Sequence, residues 1–270
     1  MRAILWGLIT LTAVLSSCKQ GDSRQETDQV TSAFIPLPPD SLRNLYNSFW
    51  AKAKTTAMPT REIIEPGKLY PVDEAPLDTG FYVFRELLRQ TAARKDVIEL
   101  MKAVDPQIQC SFGDDNGAAA FVRQWEIDTP AKTPASRLWG VLEGILAGGG
   151  VFNEEKNEFY APYYSRTFPQ QYDSYTYGAI TGSGVRLRAE PNMNSEILKT
   201  ISYDIVEILE TSQKDDTIGG KVFPWHKVRM ADKKEGYIFG QFLGMTVGYR
   251  AVFVRKGPQE WKMTVLVAGD

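Results

Sequence analysis

Gly184-Val185-Arg186-Leu187-Arg188-Ala189-Glu190-Pro191-Asn192 is the stretch on which the fold turns. Val185 and Leu187 are two residues apart with arginines between them, the period of a half-buried strand, and Pro191-Asn192 turns the chain after it. Working outward, Ser195-Glu196-Ile197-Leu198, Val206-Glu207-Ile208-Leu209, Trp225-His226-Lys227-Val228 and Gly236-Tyr237-Ile238-Phe239-Gly240-Gln241-Phe242-Leu243 follow in the same style. These short apolar runs, separated by Gly, Pro, Asn and Asp clusters from Tyr177 onward, predict closely spaced strands and an all-β, barrel-like unit over 177–244. Val185, Leu187, Ile197, Val206, Ile208 and Val228 are its expected inward positions, and Gly236 is expected to relieve a tight turn before Tyr237.

Upstream the period changes. Asp40-Ser41 precedes Leu42, Leu45, Tyr46, Phe49 and Trp50, spaced to line one helix face. Asp78-Thr79-Gly80 precedes Phe81, Phe84, Leu87 and Leu88, and Asp96 opens a third helix through Val104 that Pro106 is expected to end. Gly117 to Trp125 and Ser136 to Leu146 predict two more, the latter stopped by Gly148-Gly149-Gly150. Aromatics at helical spacing are core far more often than ligand box, so Trp50, Trp125 and Trp139 define no site. After Leu243, Tyr249, Ala251 and Phe253 alternate against Trp261, Met263, Val265 and Val267 across Lys256-Gly257-Pro258-Gln259, a hairpin pattern. The expected fold class is α+β: a mainly helical domain over 40–170, the small all-β unit, and a C-terminal β-hairpin over 245–270.

At the other end, Met1-Arg2 is basic and Ala3 to Leu15 is apolar. A run of about 13 residues is shorter than the roughly 20 that span a bilayer, so residues 1–17 read as a signal peptide. Leu15-Ser16-Ser17-Cys18 resembles the lipobox of bacterial lipoproteins, which implies cleavage before Cys18 and its lipidation. The expected partner is then a membrane, held through acyl chains at about 0.8 kcal/mol per buried CH2. Lys19 stands where an inner-membrane retention Asp would be, which by analogy favours the outer membrane of a bacterial cell envelope. Residues 18–39 are polar and close on Pro36-Leu37-Pro38-Pro39, a flexible tether.

The anchors quoted from Gly184 to Leu243 resemble a bacterial SH3 domain: a V-R-L-R-x-x-P strand and turn, a W-x-K-V strand and a closing G-Y-I-x-x-x-F-L. The resemblance implies an SH3-like barrel that binds cell-wall peptide or an envelope protein. On that reading Tyr203, Trp225 and Tyr237 are groove aromatics and Arg188 is a carboxylate partner through its planar donor fork, although Trp225 and Tyr237 read equally well as barrel core. An insert from Lys214 to Lys221, with Asp215-Asp216 and Gly219-Gly220, departs from the family. A tyrosine-rich junction (Tyr160, Tyr163, Tyr164, Tyr172, Tyr175, Tyr177, with Phe168) reads as either interdomain packing or a binding cleft. Ser111-Phe112-Gly113, Ala161-Pro162-Tyr163 and Trp261-Lys262-Met263 make the whole chain similar to a family of bacterial envelope proteins with no assigned activity, which bears on architecture alone.

Composition narrows the chemistry. The 270 residues carry 31 Lys and Arg against 33 Asp and Glu, so no excess of cations exists to displace counterions from a nucleic acid. Two cysteines and one histidine exclude the usual structural zinc sites, and neither a cofactor nor a metal is expected. Once Cys18 is acylated, Cys110 is the remaining thiol. The environment Gln109-Cys110-Ser111-Phe112-Gly113 faintly resembles the nucleophile turn of cysteine endopeptidases that cut cell-wall peptides, and such a thiol needs a histidine base, which only His226 can supply. Asp114-Asp115-Asn116-Gly117 lacks the spacing of a calcium loop and reads as a turn. The expectation is a non-catalytic binding protein, with a scaffold in an envelope complex as the alternative and a peptidase as a remote one.

Overall fold

Asp78 shows how local chemistry sets the first layer. Its carboxylate accepts a hydrogen bond from the Phe81 N–H at 2.7 Å and starts helix α2 (Thr79–Arg94), after α1 (Pro39–Ala53). Asp96 does the same for α3 (Val97–Ala103) through the Glu99 N–H. Helices α4 (Ala118–Gln124) and α5 (Leu138–Ala147) follow, then the single turn α6 (Tyr164–Thr167). The expected stop after α5 is real: Gly149 adopts φ +64°, and a Cβ there would lie 2.4 Å from the Val72 carbonyl oxygen. The computed structural model describes residues 34–53 and 57–269, of which those from Ile35 onward belong to one compact unit. The signal peptide, Cys18 and most of the tether lie outside the described residues. Among those described, no helix is long and apolar enough to cross a membrane.

The architecture is mixed α+β, built on two sheets. Strands β1 (Val104–Gln109), β2 (Val151–Phe152), β3 (Glu158–Ala161), β11 (Arg250–Gly257) and β12 (Glu260–Val267) form the first, in the order β1-β12-β11-β3-β2. Strands β4 (Tyr177–Ile180), β5 (Val185–Arg188), β6 (Ile197–Ile201), β7 (Ile205–Ile218), β8 (Lys221–Arg229), β9 (Glu235–Phe239) and β10 (Leu243–Gly244) form the second. Its order is β10-β4-β7-β8-β9-β5-β6, and it is antiparallel throughout.

Three features of the first sheet differ from expectation. Pro106 does not follow the end of a helix through Val104 but sits inside β1, an edge strand, the position in a sheet where proline is tolerated. Strands β2 and β3, of two and four residues, are too short to show a period. The C-terminal hairpin supplies the middle of the sheet, with β12 running parallel to β1 and β11 antiparallel to β3. Helices and hairpin share one core, in which Phe81, Leu100, Phe121, Leu142, Phe159, Phe253 and Met263 are fully buried.

In the second sheet Val185, Leu187, Ile201, Val206, Val228 and Ile238 form the core. Ile197, expected inside, is exposed, because the β5–β6 register shifts between Leu187 and Arg188 and turns its side chain outward. Gly236 answers a close approach: a Cβ there would stand 2.7 Å from Leu187 and 2.8 Å from the Arg188 carbonyl oxygen. A third cluster, Leu69, Val72, Val151, Tyr163, Ala179 and Ile205, joins the two sheets, and Tyr164, Phe168, Tyr172 and Tyr177 pack against it. Much of the tyrosine-rich junction is therefore packing.

Because helices and hairpin share a core, Phe253→Ala should cost about 3–5 kcal/mol. Urea unfolding followed by both helical circular dichroism and tryptophan fluorescence should show one coincident, earlier transition.

Candidate functional site

Directly paired residues on neighbouring strands project from the same side of a sheet. Trp225 pairs with Phe239, Lys227 with Tyr237 and Arg229 with Glu235, while Arg188 pairs with Tyr237. Three of the four residues expected at a groove, Arg188, Trp225 and Tyr237, thus share the face opposite the core residues Val228 and Ile238. Tyr203 is not with them. It occupies the β6–β7 turn at φ 61°, its carbonyl accepts from the Leu69 N–H at 2.8 Å, and its ring lies 5.1 Å from that of Tyr70.

Trp225 is only 3% exposed, yet it is not part of the second sheet's core cluster. Its indole N–H donates to the Asp216 carboxylate at 3.0 Å, its backbone N–H donates to Ser212 Oγ, and its ring packs 5.6 Å from Phe239. Asp216 lies near the end of β7, so the distal part of the β7–β8 hairpin, over 214–221, covers the indole. A buried tryptophan needs such a partner for its N–H. Phe223 continues the aromatic row edge-on to Phe239 at 5.8 Å and is part-exposed, as is Tyr237.

Arg188 is 4% exposed. One guanidinium nitrogen donates to the Ser195 carbonyl at 2.7 Å and another faces Met193 Sδ at 4.0 Å. Among the described residues it has no carboxylate within ion-pair distance. The carboxylates on its face are engaged elsewhere: Glu235 by Arg229 and Lys227, Glu207 by Arg229. A cation withdrawn from water without a counter-charge is costly.

Cys110 and His226 are associated with different sheets and have different hydrogen-bond partners. Cys110 follows β1 in the first sheet, its sulfur 3.7 Å from the Asp115 carbonyl. Burial and the nearby Asp115 carboxylate push its thiol pKa up, against the thiolate a nucleophile requires. His226 lies in β8 of the second sheet, its Nδ1 2.9 Å from Thr211 Oγ1, and burial lowers its pKa. The loop after Cys110 is a turn tied by Asn116, whose Oδ1 accepts from the Cys110 and Ser111 N–H groups, while Arg123 and Gln124 take the Asp115 carboxylate. Among the described residues no group of three or more His, Cys, Asp or Glu side chains is arranged to hold a metal ion.

One feature was not legible as a site. A cleft of about 890 Å³ opens between α1, α2 and α5, lined among others by Trp50, Tyr82, Arg85, Arg89 and Trp139. Its aromatics read as core. The available signal was Arg85, a cation on the apolar face of α2 beside Phe81 and Leu88. Compared with protein-family models, curated proteins and solved structures, the chain matches none.

The lowered pKa of His226 gives a pH dependence. Below the ordinary value of 6.5 the unfolded chain takes up a proton that the folded imidazole resists, so stability is present above that value and is lost as pH falls. The melting temperature should drop between pH 7 and pH 5, and His226→Gln, which keeps a partner for Thr211, should flatten that slope.

Proposed function

We propose that the chain is a lipid-anchored, non-catalytic protein of the bacterial cell envelope, tethered through Cys18, whose second sheet is an SH3-like barrel that binds a carboxylate-bearing cell-wall peptide. The single observation that carries this reading is Arg188, a buried guanidinium with no carboxylate within ion-pair distance among the described residues. A peptide carboxylate would complete it by a two-pronged, charge-assisted hydrogen bond. Tyr237 stands beside Arg188 in register, and exposed Phe223, edge-on to the buried Phe239, adds an aromatic surface for the peptide's apolar groups. In this arrangement Trp225 is the wall that holds Phe239, not a contact. The raised thiol pKa of Cys110 speaks against the peptidase alternative.

A second reading, a scaffold within an envelope complex, draws on the cluster of Leu69, Val72, Val151, Tyr163, Ala179 and Ile205 that joins the two sheets. Binding of cell-wall stem peptides separates the two. A free carboxyl terminus should bind more tightly than its amide by about 1.5–3 kcal/mol, roughly tenfold to a hundredfold. Tyr237→Ala should weaken binding with an unchanged melting temperature. Equal binding of acid and amide, or none of either, would leave the scaffold.

A further inference from the structure

The cleft between α1, α2 and α5 carries an inference of its own, in the helical layer and separate from Arg188. Tyr82 lines it, is 1% exposed, and among the described residues its hydroxyl has no hydrogen-bond partner. Native proteins seldom leave such a group orphaned, and each case asks for an explanation. Burial pushes this phenol up to about 12, so at neutral pH it is a hydrogen-bond donor in need of an acceptor.

The carboxylates of the lining, Asp73, Glu86 and the largely exposed Glu143, are each paired with a cation, Glu143 with Lys221 at 3.5 Å. Arg85, buried beneath the Tyr82 ring at 5.4 Å, donates to Asp73 at 2.6 Å and to Glu86 at 3.2 Å. Asp73 also accepts the Ala75 N–H. Both interior carboxylates are therefore engaged. Arg89 lies half-exposed over the cleft, held only by a 3.8 Å approach to Glu86 and a 3.5 Å contact to the Leu146 carbonyl, and Lys52 is exposed at the rim. Among the described residues the least engaged donors of the cleft include the Tyr82 O–H, the weakly held Arg89 guanidinium and the Lys52 ammonium. The walls between them are Phe49, Trp50 and Trp139, and the volume is that of a small-molecule pocket.

We propose that this cleft binds a small amphipathic carboxylate, its apolar body between Trp50 and Trp139 and its carboxylate drawn by the Tyr82 hydroxyl and Arg89. The carboxylate would supply the acceptor that Tyr82 lacks and a counter-charge for Arg89, while the aromatic walls exclude water from both.

Isothermal titration of the full-length chain with phenylbutyrate, phenylbutyramide and phenylbutylamine tests this, since the three share a body and differ only in the polar end. The acid should bind about tenfold tighter than the amide, and the amine most weakly. Tyr82→Phe should lower the affinity for phenylbutyrate about tenfold while leaving the melting temperature unchanged or higher, because it removes a buried hydroxyl that has no partner. Arg89→Gln, at a half-exposed position, should narrow the gap between acid and amide without unfolding the chain. Equal affinity for the three probes, no binding of phenylbutyrate, or an unchanged affinity in Tyr82→Phe would overturn the proposal.

Discussion

Phe81 is the ring around which the larger core is organised. Its centroid lies 4.2 Å from that of Phe159, 4.8 Å from Trp261, 5.4 Å from Phe152 and 5.7 Å from Phe253. Those partners come from β2, β3, β11 and β12. One helix residue thus holds the chain's final hairpin against strands that precede it by some ninety residues. Aromatic pairs contribute beyond their buried area, and here they all converge on one position.

This closure constrains the rest. The second sheet, from Tyr177 to Gly244, is threaded between β3 and β11 of the first, so its ends are tied to a core that cannot be completed until the last strands arrive. Pairing β1 with β12 is a contact of long sequence separation, whose loop entropy must be met before the contact stabilises anything. The aromatic junction from Tyr163 to Tyr177 follows from the same constraint, because a chain that leaves one sheet and returns must be packed at its crossing point.

Local chemistry was easily read where it acts within a few residues. Asp78 and Asp96 cap their helices as their positions foretold, Gly149 ends α5 in a conformation suited to glycine, and the alternation around Gly257-Pro258-Gln259 gave the terminal hairpin. Strand β1 was hidden by Pro106, which is harmless only because β1 lies at an edge. Ile197 was misplaced because a one-residue shift opposite Leu187 changes which face a strand presents. The expected groove was legible in part: Arg188, Trp225 and Tyr237 do share a face, since alternation fixes side. Tyr203 belongs elsewhere, because it sits in a turn where alternation has no force.

By itself, then, the sequence determined the two periodicities, the caps and turns, and the scarcity of thiol and imidazole that directs attention to binding. Those properties depend on neighbours along the chain and on composition. Only the tertiary structure decided that Asp216 reaches over Trp225 and that, among the described residues, Arg188 is buried without a carboxylate and Tyr82 lines a cleft without a hydrogen-bond partner. Whether a polar group is satisfied depends on residues brought to it across the fold: Asp216 reaches Trp225 from the facing strand, while Asp73 and Glu86 are both taken by Arg85. Spacing along a chain reveals which groups are present, but the distances through space decide which of them are left over.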